Sequence, residues 1–82
     1  MKVRIVGKKR TQFTDRESGE LKQFATLYYT YNAPIDTDIR TSEGLYAESV
    51  SIPFKTYDDV PIDCDAFFDF DQKGKLLNFD LL

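Results

Sequence analysis

Apolar and polar residues alternate with a period of two through most of this 82-residue chain. Such alternation is typical of strands with one buried face, whereas a helix repeats every 3.6 residues, and no window of twelve residues shows a helical stripe. Turn residues separate the alternating segments, most clearly a Ser-Gly pair at 18–19 and a glycine at 74. The pattern therefore predicts an all-β fold, in one domain over residues 1–82.

The alternation divides into five strands, which cover residues 2–14, 21–32, 49–54, 62–71 and 76–82. Gly7 predicts a β-bulge in the first strand, and Pro53 suits a third strand at a sheet edge. A polar connection over residues 33–44 is too long for a tight hairpin. The predicted core positions of strands two to five are Leu21, Gln23, Ala25, Leu27, Tyr29, Tyr31, Val50, Ile52, Phe54, Ile62, Cys64, Ala66, Phe68, Phe70, Leu77, Phe79 and Leu81.

The first two strands are long, and we expect them to form a projecting N-terminal hairpin. Five strands in so short a chain fit a small closed or nearly closed barrel better than a flat sheet, because closure removes exposed edges. A domain of this size buries only roughly 60% of the surface of its unfolded chain. A second subunit would add buried area, and the outward apolar pair Leu76 and Leu82 is consistent with a homodimer.

Composition excludes several classes of function. The chain has no histidine, and its single cysteine, Cys64, lies on a predicted core face, so no zinc set or intrachain disulfide can form. No glycine-rich phosphate loop is present. We therefore expect no enzyme activity, no cofactor, no metal ion and no small-molecule substrate. Because no apolar run is as long as a signal peptide core or a membrane span, we expect a cytoplasmic protein without a membrane partner.

Charge is unevenly distributed along the chain. Residues 1–40 carry a net charge of +3 and residues 41–82 a net charge of −6. The hairpin combines its cations with aromatic residues, and a single-stranded nucleic acid needs both, since cations neutralise phosphates and each base stacked on a ring contributes about 1–3 kcal/mol. The predicted binding face consists of Arg10, Arg16, Lys22, Phe24 and Tyr28. The alternative is that the two rings pack under a loop or in a dimer contact and that the cations are only solvated.

The fourth strand has an acidic outer face with two interpretations. It is a solvated surface that discourages aggregation, or it mimics the phosphates of DNA and binds a basic protein. A calcium loop beginning at Asp69 is excluded, because Lys73 occupies a ligand position and the flanking segments are strands rather than helices. The acidic residues concerned are Asp58, Asp59, Asp63, Asp65, Asp69 and Asp71.

The hairpin and the last two strands carry a family resemblance. Two segments carry it. The first is Gln12-Phe13-Thr14, followed by Arg16 and then by a Ser-Gly pair. The second is the Leu-Leu-Asn-Phe-Asp segment at 76–80, after the glycine turn. The chain thereby resembles the single-stranded DNA-binding (helix-destabilising) proteins of filamentous phages and small OB-fold proteins of mobile elements.

That resemblance implies an OB-like barrel, a two-fold homodimer and a role in phage or mobile-element DNA replication. It also implies that Arg16 contacts DNA and that Lys22 and Phe24 supply a cation and a stacking ring. The chain departs from the family at Lys73, where an aromatic is common, and we include Lys73 among the nucleic-acid-binding residues. We expect a non-catalytic binder of single-stranded DNA with little sequence specificity, without distinguishing DNA from RNA. The alternative function is an acidic protein–protein interaction module, a regulator or a DNA mimic.

Overall fold

The structure is a computed structural model, and it describes residues 1–32 and 35–82. These residues are mostly in strands, which confirms the all-β class. The elements are β1 (Lys2–Thr14), β2 (Leu21–Asn32), β3 (Ile35–Asp36), β4 (Thr41–Ser42), β5 (Leu45–Ile52), a 3-10 helix (Phe54–Asp59), β6 (Cys64–Phe70) and β7 (Leu76–Leu81).

Five of the strands form one antiparallel sheet in the order β5-β2-β1-β6-β7. This confirms the predicted number of strands in the main sheet. The predicted third strand corresponds to β5, which begins four residues earlier than expected. The short strands β3 and β4 pair with each other within the predicted polar connection, of which residues 33 and 34 lie outside the described residues.

The β1–β2 hairpin projects from the sheet as predicted. Strand β6 pairs with β1 only from Lys2 to Ile5, and β5 pairs with β2 only from Ala25 onward, so the part of the hairpin nearest its turn has two strands alone. The Cα radius of gyration is 15.5 Å and the longest dimension is 51 Å. A compact chain of this length would have a radius of gyration of about 12 Å.

A β-bulge at Val6 changes which residues of β1 face the core. Ile5 pairs with Tyr29 and Gly7 pairs with Tyr28, so Val6 is an extra residue on β1. This confirms the bulge that Gly7 predicts. Before the bulge the odd positions of β1 point inward, and after it the even positions do. The consequence is that the two halves of β1 present residues of opposite parity to the same face of the sheet.

The core lies on one face of the sheet, with the 3-10 helix and the segment after it covering part of it. Val60, which follows that helix, is almost fully buried although it belongs to no strand. Among the predicted positions, Leu21 and Gln23 are exposed because they lie on the projecting part of the hairpin, and Ile62 is exposed because it precedes β6. The buried apolar residues are Val3, Ile5, Ala25, Leu27, Tyr29, Ile52, Val60, Ala66 and Phe68.

A second bulge corrects the predicted orientation of the last strand. Phe68 pairs with Phe79, but Phe70 pairs with Leu76, so Leu77 is the extra residue of β7. Leu77 is therefore exposed, and the expectation that it lies in the core is wrong. Leu81 pairs with the buried Ala66 and shares its face, but it is 47% exposed near the end of the strand, so it does not lie in the core either. Leu76 packs against the core instead of facing outward, and of the predicted outward pair only Leu82 is exposed.

Strands β5 and β7 are the edges of the sheet. Ile52 on β5 and Phe79 on β7 border the same groove, of about 210 Å³, with Pro53 and Leu76 beside them. Within residues 1–32 and 35–82 no backbone ladder joins the two edges. The sheet curls so that its edges approach each other, and full closure into a barrel stays a prediction.

Candidate nucleic-acid interface

One face of the projecting hairpin carries aromatic and basic side chains together. The register pairs Phe13 with Lys22 and Lys9 with Thr26, so these residues lie on the same side of the two strands as Phe24. The ring centroids of Phe13 and Phe24 are 6.1 Å apart, with an angle of 32° between the ring planes. We define the stacking face as the side chains of Lys9, Phe13, Lys22, Phe24 and Tyr28.

The rings of the stacking face are open to solvent. Phe13 is 49% exposed, Phe24 is 54% exposed and Tyr28 is 37% exposed. Neighbouring exposed rings of this kind are unusual on a soluble protein unless they contact a ligand or a partner. The rings therefore do not pack under a loop within the described part of the chain, which was one of the alternatives for them.

Tyr28 lies where the hairpin joins the sheet. Gly7 is opposite it on β1, and a Cβ at position 7 would lie 3.7 Å from Cδ2 of Tyr28, so the ring covers the glycine backbone. Lys9 places its Nζ 5.9 Å from the centroid of the Tyr28 ring. At this distance the cation–π attraction is weak, and the lysine remains free to contact a phosphate.

Behind Tyr28, on the core side, Tyr29 fixes the same part of β2. Its hydroxyl donates a hydrogen bond to Oε2 of Glu48 at 3.2 Å, and its ring meets the edge of Phe68 with centroids 5.0 Å apart. Burial raises the pKa of Tyr29 to about 12, and the charge of Glu48 and the hydrogen bond to it add to the shift. Tyr28 is thus attached to a well-packed segment.

The hairpin turn is held in a defined shape by Asp15. Its carboxylate Oδ1 accepts hydrogen bonds from the backbone N–H groups of Glu17 at 2.8 Å and Ser18 at 3.5 Å. Gly19 has φ +72°, a left-handed conformation that favours glycine. Arg16 is exposed at this turn, beyond the end of the stacking face.

Lys22 lies directly opposite Phe13 on the neighbouring strand of the hairpin. Its Nζ lies 3.0 Å from Oε2 of Glu20, and both side chains are substantially exposed. A surface ion pair of this kind contributes only about 0–1 kcal/mol. Lys22 can therefore exchange the Glu20 carboxylate for a phosphate at little cost.

The structure does not bring Arg10 together with the other predicted binding residues. Because of the bulge at Val6, Arg10 pairs with Ala25 and lies on the core side of the hairpin. Its guanidinium carbon is 4.6 Å from the centroid of the Tyr57 ring, and its Nη1 is 3.4 Å from Oδ1 of Asp58. Arg10 thus contacts the 3-10 helix on the face opposite to Phe24.

Lys73 lies in the turn between β6 and β7. Oδ1 of Asp71 accepts hydrogen bonds of 2.8 Å from the backbone N–H groups of Lys73 and Lys75, which fixes the turn. The turn borders a cleft of about 310 Å³ whose other wall includes Ser49 and Ser51 of β5. These serines pair with Tyr28 and Thr26, so the cleft adjoins the sheet end of the stacking face.

Lys9 and Phe13 belong to the stacking face and Lys75 lines the adjoining cleft, although the alternation alone did not select them. The bulge at Gly7 was the available signal for the first two, because an inserted residue moves positions 9 and 13 onto the face of Phe24. Lys75 could have been found as the second lysine of the turn that contains Lys73.

Several carboxylates of the acidic segment have local partners. Asp65 lies 3.4 Å from Arg4, Asp58 lies 3.4 Å from Arg10, and Asp71 accepts the turn hydrogen bonds described above. Asp63 has φ 57° and precedes β6, so it lies in a turn rather than on the strand. The acidic residues therefore do not form one uniform row.

The described residues contain no helix long and apolar enough to cross a membrane. Among the same residues, no group of three or more cysteine, aspartate or glutamate side chains is arranged to hold a metal ion. No protein-family model, curated protein or solved structure matches the chain.

Proposed function

We propose that this protein binds single-stranded nucleic acid, such as single-stranded DNA, without catalysis and with little sequence specificity. The observation that supports the proposal is the stacking face, on which three exposed rings and two lysines share one side of a hairpin. Every base has a flat face, so stacking on Phe13, Phe24 and Tyr28 tolerates any sequence. Lys9 and Lys22 lie between and beside the rings, where phosphates of a stacked strand would pass.

The bound strand follows the length of β2. Phe24 and Tyr28 are four residues apart on this strand, which corresponds to about 13 Å. Beyond Tyr28, the cleft between β5 and the β6–β7 turn offers Lys73 and Lys75 to further phosphates. Arg16 would contact the strand at the other end, next to the hairpin turn.

Single strands should be favoured over duplexes. Base faces in a duplex are covered by neighbouring bases, so exposed protein rings cannot stack on them without unpairing the duplex, which costs a few kcal/mol. A single strand offers its base faces freely. Neither the rings nor the lysines distinguish DNA from RNA in this arrangement, because nothing in them requires or rejects a 2′-hydroxyl.

We also propose that the protein acts as a homodimer in the cytoplasm. Leu77 and Leu82 are 67% and 70% exposed near the last strand, and the short chain has a small core. Burying such residues against a second copy would stabilise the domain. Replication of phage or mobile-element DNA would be a suitable context for the binding activity.

A single-residue comparison tests the binding site. Phe24→Ala should weaken binding to a 30-mer of oligo-dT at least fivefold at 50 mM salt, because about 1–3 kcal/mol of base stacking is lost. Leu21→Ala is the matched control, because Leu21 is also 54% exposed but lies on the opposite face of the same hairpin. The measurement is fluorescence anisotropy of labelled oligo-dT, with duplex DNA and RNA of equal length in parallel.

The binding proposal is wrong if the wild-type protein at micromolar concentration does not bind the oligonucleotide. The stacking face is not the site if the protein binds but the two variants behave alike. The acidic interaction module remains the alternative function. It would be supported if a basic protein partner were lost on charge reversal at Asp69 while Phe24→Ala had no effect.

A further inference from the structure

The core side of the hairpin contacts the 3-10 helix through a compact group of side chains. Lys8 lies with its Nζ 4.2 Å from the centroid of the Tyr57 ring and donates a hydrogen bond of 2.9 Å to the backbone carbonyl of Tyr57. Arg10 lies over the same ring at 4.6 Å and near Phe54 at 5.7 Å. We define the Tyr57 cluster as Lys8, Arg10, Phe54, Tyr57 and Asp58.

The cluster is located where the hairpin leaves the sheet. Lys8 pairs with Leu27, which is fully buried, and Arg10 pairs with Ala25, the first residue of β2 to pair with β5. Beyond this point the hairpin has no third strand beside it. The 3-10 helix contacts both β1 and β2, and the Tyr57 ring is the part of it that two cations share.

A two-stranded ribbon is only marginally stable by itself and twists more strongly than a wider sheet. Without a contact on one side, the direction of the projecting segment relative to the sheet would vary. Phe13 and Phe24 lie on that segment, whereas Tyr28 lies on the sheet. The rings form one continuous surface only if the angle between the two parts is fixed.

We propose that Tyr57 is a positioning residue for the stacking face, because its ring holds Lys8 and Arg10 and thereby fixes the hairpin relative to the sheet. The role of Tyr57 in binding rests on the proposed nucleic-acid function, whereas its role in fixing the hairpin does not. Tyr57 itself lies on the opposite side of the hairpin from Phe24 and would not touch the bound strand. The two cations of the cluster contact Tyr57 on the side of the hairpin away from the stacking face.

The first test needs no nucleic acid. In Tyr57→Ala, amide hydrogen exchange of the residues at 10–13 and 22–25 should become roughly five- to tenfold faster, since two cation–π contacts at a partly exposed site are lost. Amides of Val3 and Phe68 in the sheet should keep their wild-type protection. Tyr57→Phe retains the ring and should behave like the wild type.

Arg10→Met supplies a second variant in case Tyr57→Ala does not fold. It keeps the length of an aliphatic side chain and removes the charge over the ring, so it should speed exchange of the same hairpin amides by a smaller factor. Asp58→Asn tests whether the ion pair matters instead. Asp58 is 78% exposed, and we expect no change in exchange.

The second test links the cluster to binding. Tyr57→Ala should weaken oligo-dT binding severalfold, and the further loss caused by Phe24→Ala should be smaller in that background than in the wild type, because an unfixed Phe24 contributes less. The salt dependence of binding should not change, since no phosphate contact is removed. Tyr57→Phe should restore both the affinity and the full effect of Phe24→Ala.

Unchanged hairpin exchange in Tyr57→Ala and in Arg10→Met would overturn the inference, and so would an equal loss of protection throughout the sheet, which would give Tyr57 a general structural role. Strictly additive effects of Tyr57→Ala and Phe24→Ala would also contradict it. If the wild type binds no oligonucleotide but the exchange result is as expected, the proposed function fails while the role of Tyr57 in fixing the hairpin stands.

Discussion

Val6 is the residue that decides on which face of the hairpin each cation of β1 lies. As the extra residue of the bulge, it directs Lys9 toward the stacking face and Arg10 toward the 3-10 helix. The sequence indicated a bulge through Gly7, but it could not indicate which residue would be the inserted one. A shift of one position reverses the face of every later side chain, so this local uncertainty changed the predicted site.

Tyr29 gives a residue-scale prediction about alkaline pH. Its pKa in the folded protein is about 12, above the usual value of 10, so the folded state holds this proton more tightly than the unfolded state. The stabilisation is complete below pH 10 and is lost as the pH rises toward 12. Tyr29→Phe lacks the ionisable hydroxyl and cannot show this contribution.

The measurement is the urea midpoint of the wild type and of Tyr29→Phe at several values between pH 9 and pH 12. The two proteins differ only at position 29, so the difference between the two curves isolates Tyr29. We expect the wild type to lose stability relative to the variant across this interval. Parallel curves would show that Glu48 and burial do not shift the pKa of Tyr29.

At the scale of elements, strands with uninterrupted alternation were predicted well and bulged strands were not. The even and odd faces of β2 are as expected wherever the strand is covered by the sheet, because a regular strand repeats every two residues. In β7 the bulge puts Leu76 on the inner face in place of the predicted Leu77, whereas Phe79 faces inward as predicted. The bulge depends on the pairing with β6, a long-range contact that local alternation does not contain.

Leu76 and Leu77 provide a matched test of that register. Leu76→Ala should lower the free energy of unfolding by roughly 1–2 kcal/mol, because Leu76 packs partly buried against the core. Leu77→Ala should change it by less than about 0.5 kcal/mol, because Leu77 is 67% exposed. Urea denaturation measures both, and the reverse order would restore the originally predicted orientation of β7.

For the whole molecule, the net charge of −3 does not describe how charge is distributed over its surface. The chain is acidic, yet one face of the hairpin carries Lys9 and Lys22. On the other face, Arg10 contacts the 3-10 helix. Local charge determines the attraction of a phosphate within a Debye length of about 8 Å at physiological salt, so the distribution matters more than the sum. The uneven charge of the two halves was visible in the sequence, but the face of each cation was not.

Lys9→Ala and Arg10→Ala separate the effect of local position from that of net charge, because both change the net charge by one unit. If local position determines binding, Lys9→Ala should reduce the salt dependence of oligo-dT affinity by about 0.7 in log–log slope, the value for one phosphate contact. Arg10→Ala should leave this slope unchanged and lower the thermal stability instead. An equal reduction of the salt slope in the two variants would show that net charge, and not local position, governs the interaction.

The position of β1 in the centre of the sheet has a consequence for the order of folding. Its pairing with β2 is local, but its other neighbour is β6, and Met1 and Phe68 exchange backbone hydrogen bonds of 2.8 and 2.9 Å. During synthesis the hairpin can form early, whereas the second edge of β1 stays unpaired until residues 64–68 have left the ribosome. Contacts of such large sequence separation slow folding, and they leave the nascent hairpin exposed to pairing with other chains.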